Sequence, residues 1–263
     1  MTVIIFLNSK SLKNNMAEST YAVRRVENRK TEIDFPSSSG GTTTIIHPFL
    51  GPANYKTLFN PNNFQGDTRM PDGQTNADFV NAIYCGPEEF KNKPVVQEAR
   101  SNMGSTWLYV PVVTVYTPRG FNVKGENRFG VYTIFDKNEQ GRDLEFNPEE
   151  LEEILRAGEK IDQKIILANG VGFAHRDTYQ GGEHTPEEFA KNGLVIATYT
   201  PEGAKQLAKA STAFNNNPHT WIVDSPTEVV KGVSGLDVNN YWLDASGGYD
   251  EYSYWAFSFG VRR

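Results

Sequence analysis

Thr106-Trp-Leu-Tyr-Val-Pro-Val-Val-Thr-Val-Tyr116 and Arg128-Phe-Gly-Val-Tyr-Thr-Ile-Phe135 are the two segments of this chain most typical of β-structure. β-Branched and aromatic residues dominate both segments, and these residue types pack well on a pleated, half-buried surface. The connection between them contains Pro118, Gly120 and Gly125, which favour turns. The sequence therefore predicts two joined strands within residues 105–136.

The first of these strands is apolar on both faces. Leu108 and Val110 point to one side, whereas Trp107 and Tyr109 point to the other. Apolar residues on both faces predict a central strand that is covered on both sides. Pro111 has no backbone N–H to donate, so it predicts a bulge within this strand.

The composition is typical of a folded protein with many strands and turns. The chain has 263 residues, and its 16 Phe, 12 Tyr and 4 Trp occur beside 23 Gly and 14 Pro. Aromatic side chains bury large areas, which argues against disorder. A net charge of −6 makes a nucleic acid or an anionic membrane surface an unexpected partner.

The single cysteine and the hydropathy of the chain bear on its subcellular location. Cys85 is the single cysteine, which excludes an internal disulfide and is compatible with a reducing compartment. No apolar run approaches the length of about 18 residues that a membrane span needs, and Val3-Ile-Ile-Phe-Leu7 is too short for a signal-peptide core. The sequence predicts a cytoplasmic protein in which residues 1–16 form a leader or a short strand.

The first quarter of the chain predicts short strands followed by a long loop. Tyr21–Val26 and Thr42–Ile46 are strand candidates, separated by a Ser- and Gly-rich loop. From His47 to Asn76 the chain is dense in Pro, Gly and Asn, and we assign no periodic element there. Aromatic residues within that stretch favour a packed loop over a mobile one.

A repeated motif predicts where helices begin. Proline suits the first helical position, and acidic residues interact favourably with the positive end of the helix dipole. Capping also accounts for the paired glutamates without a catalytic role. The motif occurs as Gly86-Pro-Glu-Glu-Phe90, Asn147-Pro-Glu-Glu-Leu151, Thr185-Pro-Glu-Glu-Phe189 and Thr200-Pro-Glu-Gly-Ala204.

These elements predict an α+β fold. We expect a mainly antiparallel β-sheet, sandwich-like or helix-covered, with about four short capped helices. Strand candidates Lys164–Ala168, Leu194–Tyr199 and Trp221–Val223 alternate with helices, so a parallel layer is conceivable there. Residues 17–263 are expected to form a single domain. A weak boundary could lie near 137–147, although the polar residues there would serve equally well as a hairpin turn.

A histidine-containing segment is a candidate metal site. His175 and His184, together with Asp177 or Glu183, could supply ligands for a divalent metal. Their spacing matches no zinc signature, and solvated or backbone-bonded imidazoles in a loop would explain the same pattern. Apart from this metal, no cofactor is predicted.

The C-terminal segment is rich in aromatic and acidic residues. Trp255, Phe257, Phe259 and Val261 alternate with smaller residues, which predicts a final strand within a sheet, and Asp244–Ser253 before it predicts a turn. Aromatic rings could stack on a sugar and acids could accept its hydroxyl hydrogen bonds or bind calcium. The same residues could simply complete a core. The candidate ligand-binding residues are Tyr241, Trp242, Asp244, Tyr249, Asp250 and Tyr252.

Three functions remain open from the sequence. Nucleophile elbows, phosphate-binding loops and dinucleotide fingerprints are missing from it. We therefore expect a non-enzymatic structural or binding protein, as a component of a larger assembly, that uses loops 48–76 and 236–254 and binds a protein partner or a second copy of itself. The alternatives are a metal-assisted hydrolase at the histidine segment and a carbohydrate-binding module at the C-terminal aromatic segment.

Overall fold

The computed structural model of the chain describes residues 20–25, 30–239, 241–249, 252 and 255–262. Within these ranges it is a mixed α/β fold. The strands are β1 (Ala22–Arg25), β2 (Thr31–Pro36), β3 (Thr42–Ala53), β4 (Thr68–Arg69), β5 (Trp107–Tyr116), β6 (Asn122–Val123), β7 (Glu126–Asn127), β8 (Gly130–Phe135), β9 (Glu159–Lys160), β10 (Ile165–Ala168), β11 (Val171–His175), β12 (Gly182–Glu183), β13 (His219–Trp221), β14 (Val230–Asn239), β15 (Trp242–Tyr249) and β16 (Ala256–Arg262).

The described residues also contain seven α-helices, more than the four or so that the sequence predicts. They are α1 (Tyr55–Leu58), α2 (Gly73–Cys85), α3 (Glu88–Lys91), α4 (Pro94–Met103), α5 (Pro148–Arg156), α6 (Pro186–Lys191) and α7 (Gly193–Ser211). Single 3-10 turns lie at Pro61–Phe64, Gly141–Asp143 and Arg176–Thr178. No helix of the described residues is long and apolar enough to span a membrane.

Fourteen of the strands form one sheet. Its main order is β1-β2-β3-β16-β5-β14-β15-β13-β12, with β4 beside β16 and with β8, β11, β10 and β9 continuing from β5. The pairings β13–β15 and β16–β5 are parallel, and the other described pairings are antiparallel. The expectation of a mainly antiparallel sheet is thus correct in part, because two parallel pairings interrupt it.

Strand β5 is the central strand that the sequence predicts. It pairs with β14 along one edge, and along the other edge with β16 at Trp107 and Leu108 and with β8 from Val112 onwards. Pro111 lies where the second edge changes partner, so its missing N–H leaves no ladder hydrogen bond unmade. The register with β14 also shifts at this point, which confirms the bulge.

Both faces of the sheet are covered, but not equally. Helices α2, α4 and α7 pack on the inner face and bury the largest apolar cluster, which includes Leu236 and Leu243 of the sheet. On the outer face, α5 covers Val113 and Val115, and α1 with the 3-10 turn that follows it covers Tyr109. The outer face near β13, β14 and β15 is the part that these elements leave open.

The capping motif is confirmed at three of its four positions. Thr185 and Glu188 form a complete capping box, and Asn147 accepts from the Glu150 N–H. Thr200 sits inside α7 with φ 67° and accepts from the Gly203 N–H at 3.2 Å, so it caps a second helical segment across a kink. At residue 86 the motif lacks a side-chain cap, and α3 begins at Glu88.

Several predictions of strands and loops are wrong. Leu194–Tyr199 belongs to α7, because a short apolar run fits a buried helix as well as a buried strand. Residues 48–76 are not one loop, since β3 continues to Ala53 and α1, β4 and the start of α2 follow. Residues 236–254 are not a loop either, because β14 and β15 pair there and β15 runs through the predicted turn to Tyr249.

The predicted domain division remains a prediction. Residues 1–16 lie outside the described part of the chain. Across residues 137–147 the sheet is continuous, because β8 before this segment pairs with β11 after it.

The final strand is confirmed, with Phe257, Phe259 and Val261 buried in the sheet.

Candidate functional site

Four acidic or imidazole side chains lie in one row across the outer face of the sheet. Asp237 of β14 is the direct partner of Asp244 of β15, which is the partner of His219 of β13, and His219 is in turn the partner of Glu183 of β12. Direct partners in neighbouring strands project to the same side of a sheet. Because Leu236 and its alternating neighbours belong to the inner core, this row faces outward.

Three of the four tryptophans surround this row. The indole of Trp242 donates to Asp244 Oδ2 at 2.9 Å, and the indole of Trp107 hydrogen-bonds to Asp237. The His219 ring lies 5.7 Å from the Trp221 ring and 6.0 Å from the Trp242 ring. We call the surface formed by Trp107, Trp221, Trp242, Tyr241, His219, Asp237 and Asp244 the tryptophan face.

Small residues occupy the row next to the acids. Gly235 and Ser246 are partners in this adjacent row, and Ser246 is in turn the partner of Trp221. Gly235 and Ser246 are buried, whereas Trp221 and Tyr241 are each more than half exposed. The two large aromatic residues are therefore the most accessible part of the face.

The environment of the two aspartates disfavours their ionised forms. Burial raises the pKa of Asp237 to about 6, and the charge of Asp244 adds to this rise. Burial also raises the pKa of Asp244, although hydrogen bonding from Trp242, the nearby His219 and hydrogen bonding from Trp221 oppose that rise. In the described part of the chain, neither acid has a lysine or arginine within ion-pair distance.

Within the described residues, two buried polar atoms of the face have no hydrogen-bond partner. They are Asp244 Oδ1 and His219 Nδ1, which lie 3.9 Å apart. Buried polar groups are normally satisfied, so these two atoms are available for a further hydrogen bond. Asp237 is the acid with exposed surface, since Asp244 is 95 % buried. Asp237 is therefore the group that a ligand can reach directly.

The sequence identified part of this face. Tyr241, Trp242 and Asp244 lie together in it, but Tyr249 is five residues further along β15, which is about 16 Å away along the strand. Tyr252 is 61 % exposed outside the strands, and Asp250 lies outside the described residues. Sequence reasoning missed four members of the row and its surroundings: Trp107, His219, Trp221 and Asp237.

The candidate metal residues divide into two groups with different partners. His175 Nδ1 lies 3.3 Å from Asp177, which also binds Lys164 at 3.0 Å. Glu183 accepts from Asn217, whereas His184 is buried and its Nε2 lies 2.6 Å from Thr220 Oγ1.

Burial lowers the pKa of His184. Among the residues that the structure describes, no three His, Cys, Asp or Glu side chains are grouped as ligands for a metal. The geometry therefore lends the metal-binding hypothesis no support.

A cleft lies at the kink of α7. It has a volume of about 1150 Å³ and lies between the start of α2, the Thr200 kink and the ends of β8, β10 and β11. Its lining combines apolar residues with basic ones, such as Lys137 and Lys160, and acidic ones, such as Glu202. This mixed lining gives no preference for one class of ligand.

Comparison with known proteins adds no assignment to either region. No protein-family model, no curated protein and no solved structure matches this chain. The chemistry of the two regions is therefore the basis for the function proposed below, and the tryptophan face has the more specific chemistry.

Proposed function

We propose that this protein is a non-enzymatic binding protein whose tryptophan face binds a carbohydrate. The observation that carries the proposal is the position of the Trp221 and Trp242 indoles, which both hydrogen-bond to Asp244, next to the partly exposed Asp237 on the adjacent strand. A sugar ring has an apolar face of C–H groups and an edge of hydroxyls. Aromatic rings complement the first, and a carboxylate accepts hydrogen bonds from the second.

The support of the face by strands favours binding without rearrangement. Trp242 and Asp244 lie on β15, Asp237 on β14, and His219 and Trp221 on β13. Groups on hydrogen-bonded strands lose little conformational freedom when a ligand binds, whereas groups on loops lose more. This differs from the expectation that loops would carry the function.

Oligosaccharide binding with tryptophan fluorescence as the readout tests the proposal. Three of the four tryptophans belong to the face, so a bound sugar should change the emission of the intact protein. Trp242→Ala should weaken binding at least about tenfold, because stacking aromatic residues are typical binding hot spots worth more than about 1.4 kcal/mol.

The matched control is Phe121→Ala. Phe121 lies in the connection between β5 and β8, and its ring packs against that of Phe146. Neither residue belongs to the tryptophan face. Its replacement should leave the affinity unchanged. Binding that survives Trp242→Ala and Trp221→Ala together would exclude the tryptophan face as the site.

A protein partner is the second candidate, in line with a role in an assembly. Trp221, Tyr241 and Trp255 are each more than half exposed, and aromatic residues are enriched in protein interfaces. Light scattering coupled to size-exclusion chromatography distinguishes the two. A dimer of the intact protein that dissociates on Trp221→Ala would favour self-association over sugar binding.

A further inference from the structure

Among the residues that the structure describes, no lysine or arginine is a counterion for the acids of the tryptophan face. Asp237 and Asp244 are opposite each other on adjacent strands, and Glu183 adds a third carboxylate at the end of the same row. The nearest basic group of the row is His219, whose Nδ1 is 3.9 Å from Asp244. Buried like charges without a cation are unfavourable, and a bound positive charge relieves this repulsion.

Aromatic rings around the acids favour the same kind of ligand. The faces of indole and phenol rings attract ammonium groups, and this attraction is strongest for tryptophan. Trp221, Trp242 and Tyr241 are arranged in a chain of ring contacts that runs past His219, with separations of 5.7 to 6.4 Å. A carboxylate next to such rings provides the charge partner of an ammonium group.

We propose that the carbohydrate bound at the tryptophan face is an amino sugar with a free, protonated amino group that pairs with Asp237. This inference rests on the proposed carbohydrate-binding function. The buried Asp244 Oδ1, on the strand next to Asp237 and without a hydrogen-bond partner among the described residues, is a second negative atom that the ammonium charge stabilises. The raised pKa of Asp237 agrees with a carboxylate that lacks its cation in the free protein.

Three oligosaccharides of equal length test this inference by titration calorimetry on the intact protein. They are a glucosamine oligomer with free amino groups, the same oligomer fully N-acetylated, and a glucose oligomer with neither group. The buffer is set at about pH 6.5, where Asp237 is mostly ionised. We expect the free amine to bind about fivefold more tightly than either neutral oligomer, as one partly exposed ion pair allows.

The variant Asp237→Asn should abolish this preference, so that the ratio of the affinities for the amine and the acetylated oligomer falls to about one. Higher ionic strength should reduce the ratio in the same direction, because salt screens an exposed pair. Glu202→Gln is the matched control: it removes one negative charge in the cleft lining, so the ratio should stay at its original value.

The outcomes separate the two proposals. Equal affinity for all three oligomers, or tighter binding of a neutral one, would overturn the amino-sugar inference and leave the carbohydrate-binding function standing. A preference for the amine that persists in Asp237→Asn would also overturn it, because the charge partner would lie elsewhere. If none of the three oligomers binds, both proposals fail.

Discussion

Two pairs of acids in this sheet, each with at least one buried member, differ in what surrounds them. Glu32 and Asp34 lie on β2 and contact two arginines, Arg24 of β1 and Arg262 of β16. Asp237 and Asp244 contact indoles and one imidazole. The first pair is neutralised by arginines, whereas the described residues supply the second pair with no lysine or arginine. Burial of acids is therefore not by itself a sign of a site, and the second pair differs by the aromatic rings around acids that lack a cation.

The β2 pair has a structural role. Arg24 Nε and Nη2 each donate to Asp34 at 2.9 Å, and the Thr44 hydroxyl of β3 donates to the same carboxylate at 2.7 Å. Arg262 binds Glu32 from β16. These bonds connect four strands at one edge of the sheet. Among the described residues, the aspartates of the tryptophan face make no such bond to a basic side chain, and the side-chain hydrogen bonds that they accept come from indoles.

The largest effect on stability is expected from removal of Asp34. Asp34→Ala deletes the acceptor of Arg24 and of Thr44, so the free energy of unfolding should fall by about 2 kcal/mol, a value reduced from that of a fully buried pair because Arg24 is half exposed. Urea denaturation measures this. A loss below about 0.5 kcal/mol would show that the contacts of Asp34 contribute little to stability, which would contradict the proposed difference between the two pairs.

The opposite sign is expected for Asp237→Asn. The pKa of Asp237 is raised in the folded state, so its contribution to stability is fully present below the unfolded pKa near 4 and is lost as the pH rises through about 6. Asparagine does not titrate. The variant should therefore be more stable than the wild type above pH 6. The expected difference is only about 1 kcal/mol, because solvent screens the partly exposed Asp237.

Thermal melting of both proteins across the pH range checks this sign. The two curves should approach each other as the pH falls below about 4, where Asp237 becomes protonated in both states of the wild type. Asp34→Asn provides the comparison, because its loss of the Arg24 contacts should destabilise the protein above pH 6. If Asp237→Asn also destabilises at that pH, Asp237 forms a stabilising contact in the free protein and the contrast between the pairs fails.

The sequence was sufficient where local chemistry decides the structure. The two apolar faces of β5, the bulge at Pro111 and the caps at Asn147 and Thr185 follow from short stretches of residues. Helix α2 was missed because most of its residues are buried, including Asn76 and Asp78. A helix buried on all sides has no polar stripe from which a period of 3.6 could be read.

The tryptophan face could be predicted only in part, because most of it is assembled by long-range pairing. Tyr241, Trp242 and Asp244 are neighbours in sequence, and they were found. His219 and Trp221 join them through the parallel β13–β15 pairing, which no local pattern reveals. Gly247 and Gly248 favoured a turn, although they lie within β15, where Gly247 packs too closely against Tyr116 for any side chain.

The smallest expected effect is the response of the two pairs to salt. Arg24 and Arg262 are about half exposed, so added salt should weaken their attraction to the β2 acids. The same salt should weaken the repulsion between Asp237 and Asp244. The destabilisation by Asp34→Ala and the stabilisation by Asp237→Asn should therefore both shrink by a few tenths of a kcal/mol between low and high ionic strength.

Urea denaturation of the wild type and of both variants at two salt concentrations measures this change. Because salt also alters the stability of the whole fold, only the differences between each variant and the wild type at the same ionic strength are compared. Shrinkage for Asp34→Ala alone would mean that the acids of the tryptophan face repel each other too weakly to favour a cation. Shrinkage for both would show that the two pairs differ in the presence of a counterion, as the proposed pairing of Asp237 with an ammonium group requires.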